Sequence, residues 1–283
     1  MVEPGVTDFG RDISTGYFLV PNAADPLVEH ARELERIGFE HLAVQDHPYQ
    51  RRYVETFSLM GVLLGATTTI RVFPDVATLP LRNPAVLAKA AASLDLLSGG
   101  RFDLAVGAGA FWDAIVAYGG PRRTPGDALA AEEEAITIIR KIWSGDHNLR
   151  FDGRFHSLAG AHSGPVPARP IGLWLGSYGP RALRLTGRLA DGWVVSLRDD
   201  PAEALRMASA VDAAALDAGR DPASIRRVLN VGATPTASEL ADFALAGGFD
   251  TFVLSGADDR ASHVFIAETI PDVREQVAAE RSA

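Results

Sequence analysis

Gly248-Phe249-Asp250-Thr251-Phe252-Val253-Leu254 is the stretch that decides the fold. A glycine able to end a helix is followed by an aromatic, an acid and a short run of β-branched and apolar residues. The same succession stands at Gly38-Phe39-Glu40 before His41–Val44, and at Gly100-Arg101-Phe102-Asp103 before another apolar run. One helix-to-strand solution used three times is the mark of a repeated unit, as in a barrel. The repeated aromatic is expected to plug the bottom of that barrel.

Outward from these turns, apolar runs alternate with amphipathic segments at about 35 residues per unit, the pattern of a parallel α/β fold. Strands are expected near Gly16–Val20, His41–Val44, Ile70–Val76, Phe102–Val106, Gly172–Leu175, Gly192–Ser196, Arg227–Val231 and Thr251–Leu254. Helices are expected near Pro26–Ile37, Phe57–Thr67, Pro84–Leu97, Asp127–Trp143, Pro180–Leu189, Pro201–Ala218, Ser238–Ala246 and Arg260–Ala279. Pro84 and Pro180 suit first helical positions, and Asp127 and Ser238 suit N-caps. The expectation is α/β: a single (β/α)8 TIM barrel formed by residues 1–283 as one domain. Between strands 4 and 5 the period breaks, with an extended loop from Gly107 to Pro125 and a small hairpin from His147 to Leu158 that turns at Asp152-Gly153. The acid run Glu132-Glu133-Glu134 reads as a solvated helix face.

Composition narrows the function. The chain has 283 residues, a formal charge of −9 and no cysteine. Such an acidic protein lacks the basic face that nucleic acid or an anionic membrane requires. Without cysteine, disulfides, thiolate metal sites and dithiol redox chemistry are excluded, so redox work needs a bound cofactor. No His-Glu-x-x-His is present, and no metal is expected. Met1 to Asp12 lacks the apolar core of a leader, and Gly61 to Ile70 is too short to span a bilayer, so a cytoplasmic location is expected.

Three stretches carry candidate chemistry. Gly176-Ser177-Tyr178-Gly179-Pro180-Arg181 follows a strand and opens a helix. Either its amides, Ser177 and Arg181 hold a phosphate, or it is a plain strand-to-helix turn. Gly107-Ala108-Gly109 lacks the third glycine of a dinucleotide fingerprint, because Trp112 stands there. Its glycines either admit a flat ligand or only turn the chain. Asp46-His47 closes the second strand, where a histidine either trades a proton with a ligand or serves the structure. Asp75-Val76-Ala77-Thr78 is a strand end followed by a proline-punctuated loop.

Taken in order, these stretches resemble the luciferase-like monooxygenase superfamily, in particular its branch using the deazaflavin coenzyme F420. The resemblance runs from about Gly16 to Gly256. Its most specific part is Leu79-Pro80-Leu81-Arg82-Asn83-Pro84 through Leu94-Asp95-Leu96-Leu97-Ser98-Gly99-Gly100-Arg101 and Gly107-Ala108-Gly109, joined by Trp174-Leu175-Gly176 and Ala190-Asp191-Gly192-Trp193. It implies a non-proline cis peptide at Asp75–Val76 behind the cofactor ring. It further implies cofactor contacts from Asp46, Thr78, Ala108, Gly109 and Asp113, with the phosphate end held by Gly176, Ser177, Tyr178, Gly179, Arg181 and Ala182. His47 is implied beside the reactive carbon, as acid, base or electrostatic partner. The implied reaction is hydride transfer between F420 and a small organic substrate. The alternatives are an FMN-dependent monooxygenase fed by a separate flavin reductase, or a non-catalytic flavin-binding barrel. A homodimer formed through outer helices is also implied. One departure stands out: some deazaflavin sugar-phosphate dehydrogenases carry a glutamate where this chain has Ala110. The segment after the seventh strand also looks shortened.

Overall fold

The computed structural model describes residues 8–198 and 200–283. The expectation for the first seven residues therefore lies outside the described residues. Strand and helix alternate along the chain as the sequence pattern requires. In order they are β1 (Ser14–Leu19), α1 (Leu27–Ile37), β2 (His41–Val44), α2 (Thr56–Ala66), β3 (Arg71–Pro74), β4 (Ala77–Thr78), α3 (Pro84–Ser98) and β5 (Leu104–Gly107). There follow α4 (Trp112–Ala117), α5 (Pro125–Trp143), β6 (Leu149–Asp152), β7 (Ser157–Ala161), β8 (Leu173–Gly176), α6 (Pro180–Leu189) and β9 (Gly192–Ser196). The chain ends with α7 (Pro201–Asp217), β10 (Arg226–Val231), α8 (Ala237–Gly247), β11 (Thr251–Leu254), α9 (Asp259–Val264) and α10 (Ile270–Ser282). All eight expected strands form. The third is interrupted at Asp75–Val76, whose peptide bond is cis, and so appears as β3 and β4.

The described residues gather into two compact units that interleave along the sequence. The first holds the described part of Met1–Leu19, with Glu29–Ala43 and Ser177–Ala283. In it β1, β11, β10 and β9 lie side by side, all parallel, with Ser14 opposite Thr251, Val228 opposite Thr251 and Val228 opposite Val194. The second holds Val20–Val28 and Val44–Gly176. There β4, β5 and β8 are parallel neighbours, with Thr78 opposite Gly107 and Val106 opposite Leu175. These strands read as near-continuous Val, Leu and Ala runs because parallel strands are covered on both faces.

The repeated turns do more than plug a barrel. Phe39, Phe102 and Phe249 are buried, and each meets a ring carried by a helical segment: Phe265, Phe57 and Phe243 respectively. The acid after each aromatic holds arginines: Glu40 pairs with Arg274, Asp103 with Arg71 and Arg169, and Asp250 with Arg11 and Arg226. Each turn thus joins its strand to a helix by packing and to a neighbouring segment by charge.

Several local expectations are corrected. The caps are not Asp127 and Ser238 but Thr124 and Thr236, one ahead of Pro125 and one in a capping box with Glu239. Both corrected starts place a Thr three residues before an acid, which receives or returns the capping bond. The last expected helix is split by a π turn at Phe265–Thr269. The hairpin forms, but its loop is Gly153–His156 and not a two-residue Asp-Gly turn. The reason is Glu134 on α5, whose carboxylate accepts from the backbone N–H of Arg154, Phe155 and His156 at 2.8–2.9 Å. A Cβ on Gly153 would stand 2.4 Å from Glu134 Oε2, so only glycine admits that carboxylate. The acid run is therefore no solvated face: Glu134 ties down the loop, and Glu132 is buried.

Candidate functional site

In the second unit the end of β2 is built around Asp46, which is 0% exposed. Its carboxylate accepts from the Thr78 backbone N–H at 2.8 Å and from Arg82 through Nε at 2.9 Å and Nη2 at 2.6 Å. Its own carbonyl accepts from Thr78 Oγ1 at 2.7 Å. Arg82 also reaches Glu55 at 2.9 Å and lies over the Phe57 ring at 4.3 Å. Burial alone would weaken the Arg82 cation, but Asp46 and then Glu55 outweigh it and push its pKa up. Glu55 in turn caps α2 by accepting from the Ser58 N–H at 2.7 Å. Burial opposes that carboxylate too, and its hydrogen bonds from Ser58 and Arg82 bring its pKa down nonetheless. Asp46 thus spends its oxygens on tying the loop after β2 to the loop after β4. Arg82 and Glu55 were not singled out from sequence, since separations of 36 and 27 residues leave no local signal.

His47, the next residue, is half-buried. Tyr49 stacks on its ring at 5.3 Å, and Phe111 from the loop after β5 meets it edge-on at 5.2 Å. Burial lowers the His47 pKa, against the opposing charge of Asp46, so near neutral pH the ring is an uncharged proton acceptor. Burial, helped by Asp46, raises Tyr49 to about 12 and keeps its phenol protonated. Phe111, in contrast, is 57% exposed, a large apolar face beside an ionisable ring.

Around Asp75–Val76 the structure answers what the glycines admit. A Cβ on Gly107 would lie 2.7 Å from a Val76 methyl, and one on Gly176 3.0 Å from it. The space that a side chain on either strand end would need is filled by Val76. Gly109 has φ +99°, and Pro80, Trp112 and Ile115 close over it. Ala108 adjoins it, half-buried, whereas Asp113 is exposed on α4 and bonded to Arg122.

In the first unit, the start of α6 is open. Side-chain oxygens cap α2, α3, α5, α7, α8 and α9, whereas α6 begins at Gly179 with no side-chain cap, as α4 does at Phe111. Gly179 and Arg181 are exposed and Ala182 half-buried. The Tyr178 hydroxyl accepts from the Ser196 N–H at 3.0 Å, and the Arg198 guanidinium covers its ring at 4.2 Å. Ser177 departs from its expected part as a donor to phosphate: it is buried, with its hydroxyl bonded to Thr186 Oγ1 at 2.8 Å. The open amides and the arginines are what remains for an anion. Also in this unit, only five residues separate β10 from α8, and beside them lies a cavity of about 390 Å³ whose walls include Leu205, Val231, Pro235 and Phe243. Among the described residues no helix is long and apolar enough to cross a membrane.

Residues 7–265 match the family described as luciferase-like monooxygenase. An F420-dependent hydroxymycolic acid dehydrogenase of Mycobacterium tuberculosis is 32% identical over 209 residues, covering 71% of this chain and 56% of that protein. An F420-dependent glucose-6-phosphate dehydrogenase of Gordonia bronchialis is 32% identical over 193 residues, covering 65% and 57%. The chain thus spans little more than half the length of these relatives. Among solved structures, an F420-dependent secondary alcohol dehydrogenase in complex with an F420-acetone adduct gives a TM-score of 0.82 at 20% identity, covering 93% of this chain and 99% of that one. A riboflavin lyase with modified FMN and riboflavin gives 0.80 at 14% identity, covering 94% and 92%. The likeness establishes the fold as the α/β TIM barrel of these neighbours.

Proposed function

Because the chain belongs to the luciferase-like monooxygenase family, we propose that it is an F420-dependent oxidoreductase that moves a hydride to or from a small organic substrate. The observation that carries this proposal is His47, an uncharged imidazole between two aromatic side chains at a strand end whose backbone is locked by Asp46, Thr78 and Arg82. When bound, the deazaflavin supplies the carbon that takes or gives the hydride. His47 then takes the proton of an alcohol being oxidised, or returns one to a carbonyl being reduced. Tyr49 and Phe111 flank the imidazole, and the exposed Phe111 ring is a face that a flat ligand would cover. At α6, the uncapped amides, Arg181 and Arg198 suit a phosphate. The alanine at 110 speaks against sugar-phosphate oxidation where that chemistry needs the glutamate.

The same residues would serve flavin mononucleotide, and the riboflavin lyase neighbour, described with modified FMN, favours keeping that as the second reading. It would make the protein a monooxygenase supplied by a flavin reductase. We also propose a homodimer through α2, which carries no charged residue and turns Ser58, Gly61, Val62 and Gly65 outward.

Separate titrations of the purified protein with F420 and with flavin mononucleotide, followed by fluorescence quenching, decide between the readings. Binding of F420 alone is expected; binding of the flavin alone installs the second reading, and binding of neither removes both. His47→Asn should retain F420 binding while lowering turnover by about 10²–10⁴-fold.

A further inference from the structure

Gln45 touches His47 and has no part in the chemistry above. Its amide nitrogen stands 3.2 Å from His47 Nδ1, while its Oε1 is buried with no hydrogen-bond partner among the described residues. The backbone bearing both side chains is clamped twice: the Gln45 carbonyl accepts from Thr56 Oγ1 at 3.0 Å, and the Asp46 carbonyl from Thr78 Oγ1 at 2.7 Å. Asp46, the nearest acid, acts on the ring by charge alone, because its oxygens are engaged by Thr78 and Arg82. The groups facing His47 are therefore Gln45, the stacked Tyr49, the Phe111 edge and the Asp46 charge.

A carboxamide suits a ring that changes protonation state, since it offers both a donor and an acceptor. With the His47 proton on Nε2, the Gln45 N–H donates to the Nδ1 lone pair. With a hydrogen on Nδ1, in the other tautomer or the cation, a half-turn of the amide brings Oε1 round to accept it, and the buried oxygen gains a partner. A carboxylate in that place would serve only the second case and would hold the ring charged. We propose that Gln45 is a positioning residue that keeps His47 Nδ1 partnered in either state, its N–H donating to the lone pair or its Oε1 accepting the hydrogen, and that Nε2 takes the substrate proton when the hydrogen is held on Nδ1. The catalytic meaning of this pairing rests on the proposed acid–base role of His47; the pairing itself rests on geometry.

The test is a pH titration of ¹⁵N-labelled imidazoles by NMR in the ligand-free protein, with His47 assigned through His47→Asn, in the wild type, Gln45→Glu and Gln45→Leu. Rate profiles against pH are recorded in parallel. In Gln45→Glu the His47 midpoint should rise by about one pH unit or more, and the acid limb of kcat/KM should move with it. In Gln45→Leu the midpoint should fall, and the ¹⁵N shifts should report a changed tautomer balance. Gln45→Leu keeps the test decisive should the buried glutamate fail to fold. Unchanged His47 titration in the folded variants would overturn the proposal. Midpoints that move while the rate profile stays would uphold the pairing and instead remove His47 from the proton step.

Discussion

Asp46 and Glu132 are both buried carboxyl groups in the same compact unit, with opposite surroundings. Asp46 is met by an amide N–H and by two nitrogens of Arg82, whose remaining reach goes to Glu55. Glu132 sits on the inner face of α5 with Ala128, Ala131, Ala135 and Ile136, and its Oε1 has no partner among the described residues. Burial alone pushes the Glu132 pKa up to about 8. At equal depth the two acids differ in the donors that the fold brings to them. Glu134, two residues on, makes the same point from the surface. Burial is the largest single influence and opposes its carboxylate, yet the backbone N–H groups of Phe155, Arg154 and His156 together lower its pKa.

Removing the partnered acid should have the largest effect. Asp46→Ala leaves Arg82 buried beside Glu55 alone, and breaking such a pair costs about 3–5 kcal/mol. Urea unfolding of the variant should show this loss, and a loss under about 1 kcal/mol would mean that Glu55 and water replace Asp46. The unpartnered acid should show itself through pH. The folded value of Glu132, about 8, lies above the ordinary 4.5, so the folded state binds the proton more tightly. Its share of stability is whole below pH 4.5 and is lost as pH rises towards 8, at about 1.4 kcal/mol per pH unit. Glu132→Gln should match the wild type near pH 4 and exceed it at pH 8 in denaturation series; parallel curves would mean that Glu132 finds a partner in solution. The smallest effect belongs to the loop. Glu134→Ala frees three N–H donors to water and should cost about 1–2 kcal/mol. Faster hydrogen exchange at Arg154, Phe155 and His156, with α5 otherwise unchanged, is the expected signature.

Much of the fold was legible because its signals are local. Gly99 and Gly248 adopt the left-handed conformation that their place after a helix demands, and the apolar runs after the turns are the strands. The expected cis peptide at Asp75–Val76 lies between β3 and β4, though it came from resemblance and not from the residues themselves. The site was legible only in part. His47 could be chosen because it is a titratable residue at a strand end, but Tyr49, Phe111 and Gln45 lack such a mark. Ser177 was misjudged because a hydroxyl before a helix suits a phosphate as well as it suits Thr186, and only the path of α6 separates the two.

By itself the sequence determined the order and kind of the elements, because hydrophobic period, proline position and turn glycines act between neighbours in the chain. Tertiary structure alone decided which acids are satisfied, which glycines are filled by Val76 and which nitrogen of His47 meets an amide. Those outcomes depend on desolvation and on groups such as Arg82 and Thr78, which stand more than thirty residues from Asp46 until the chain folds.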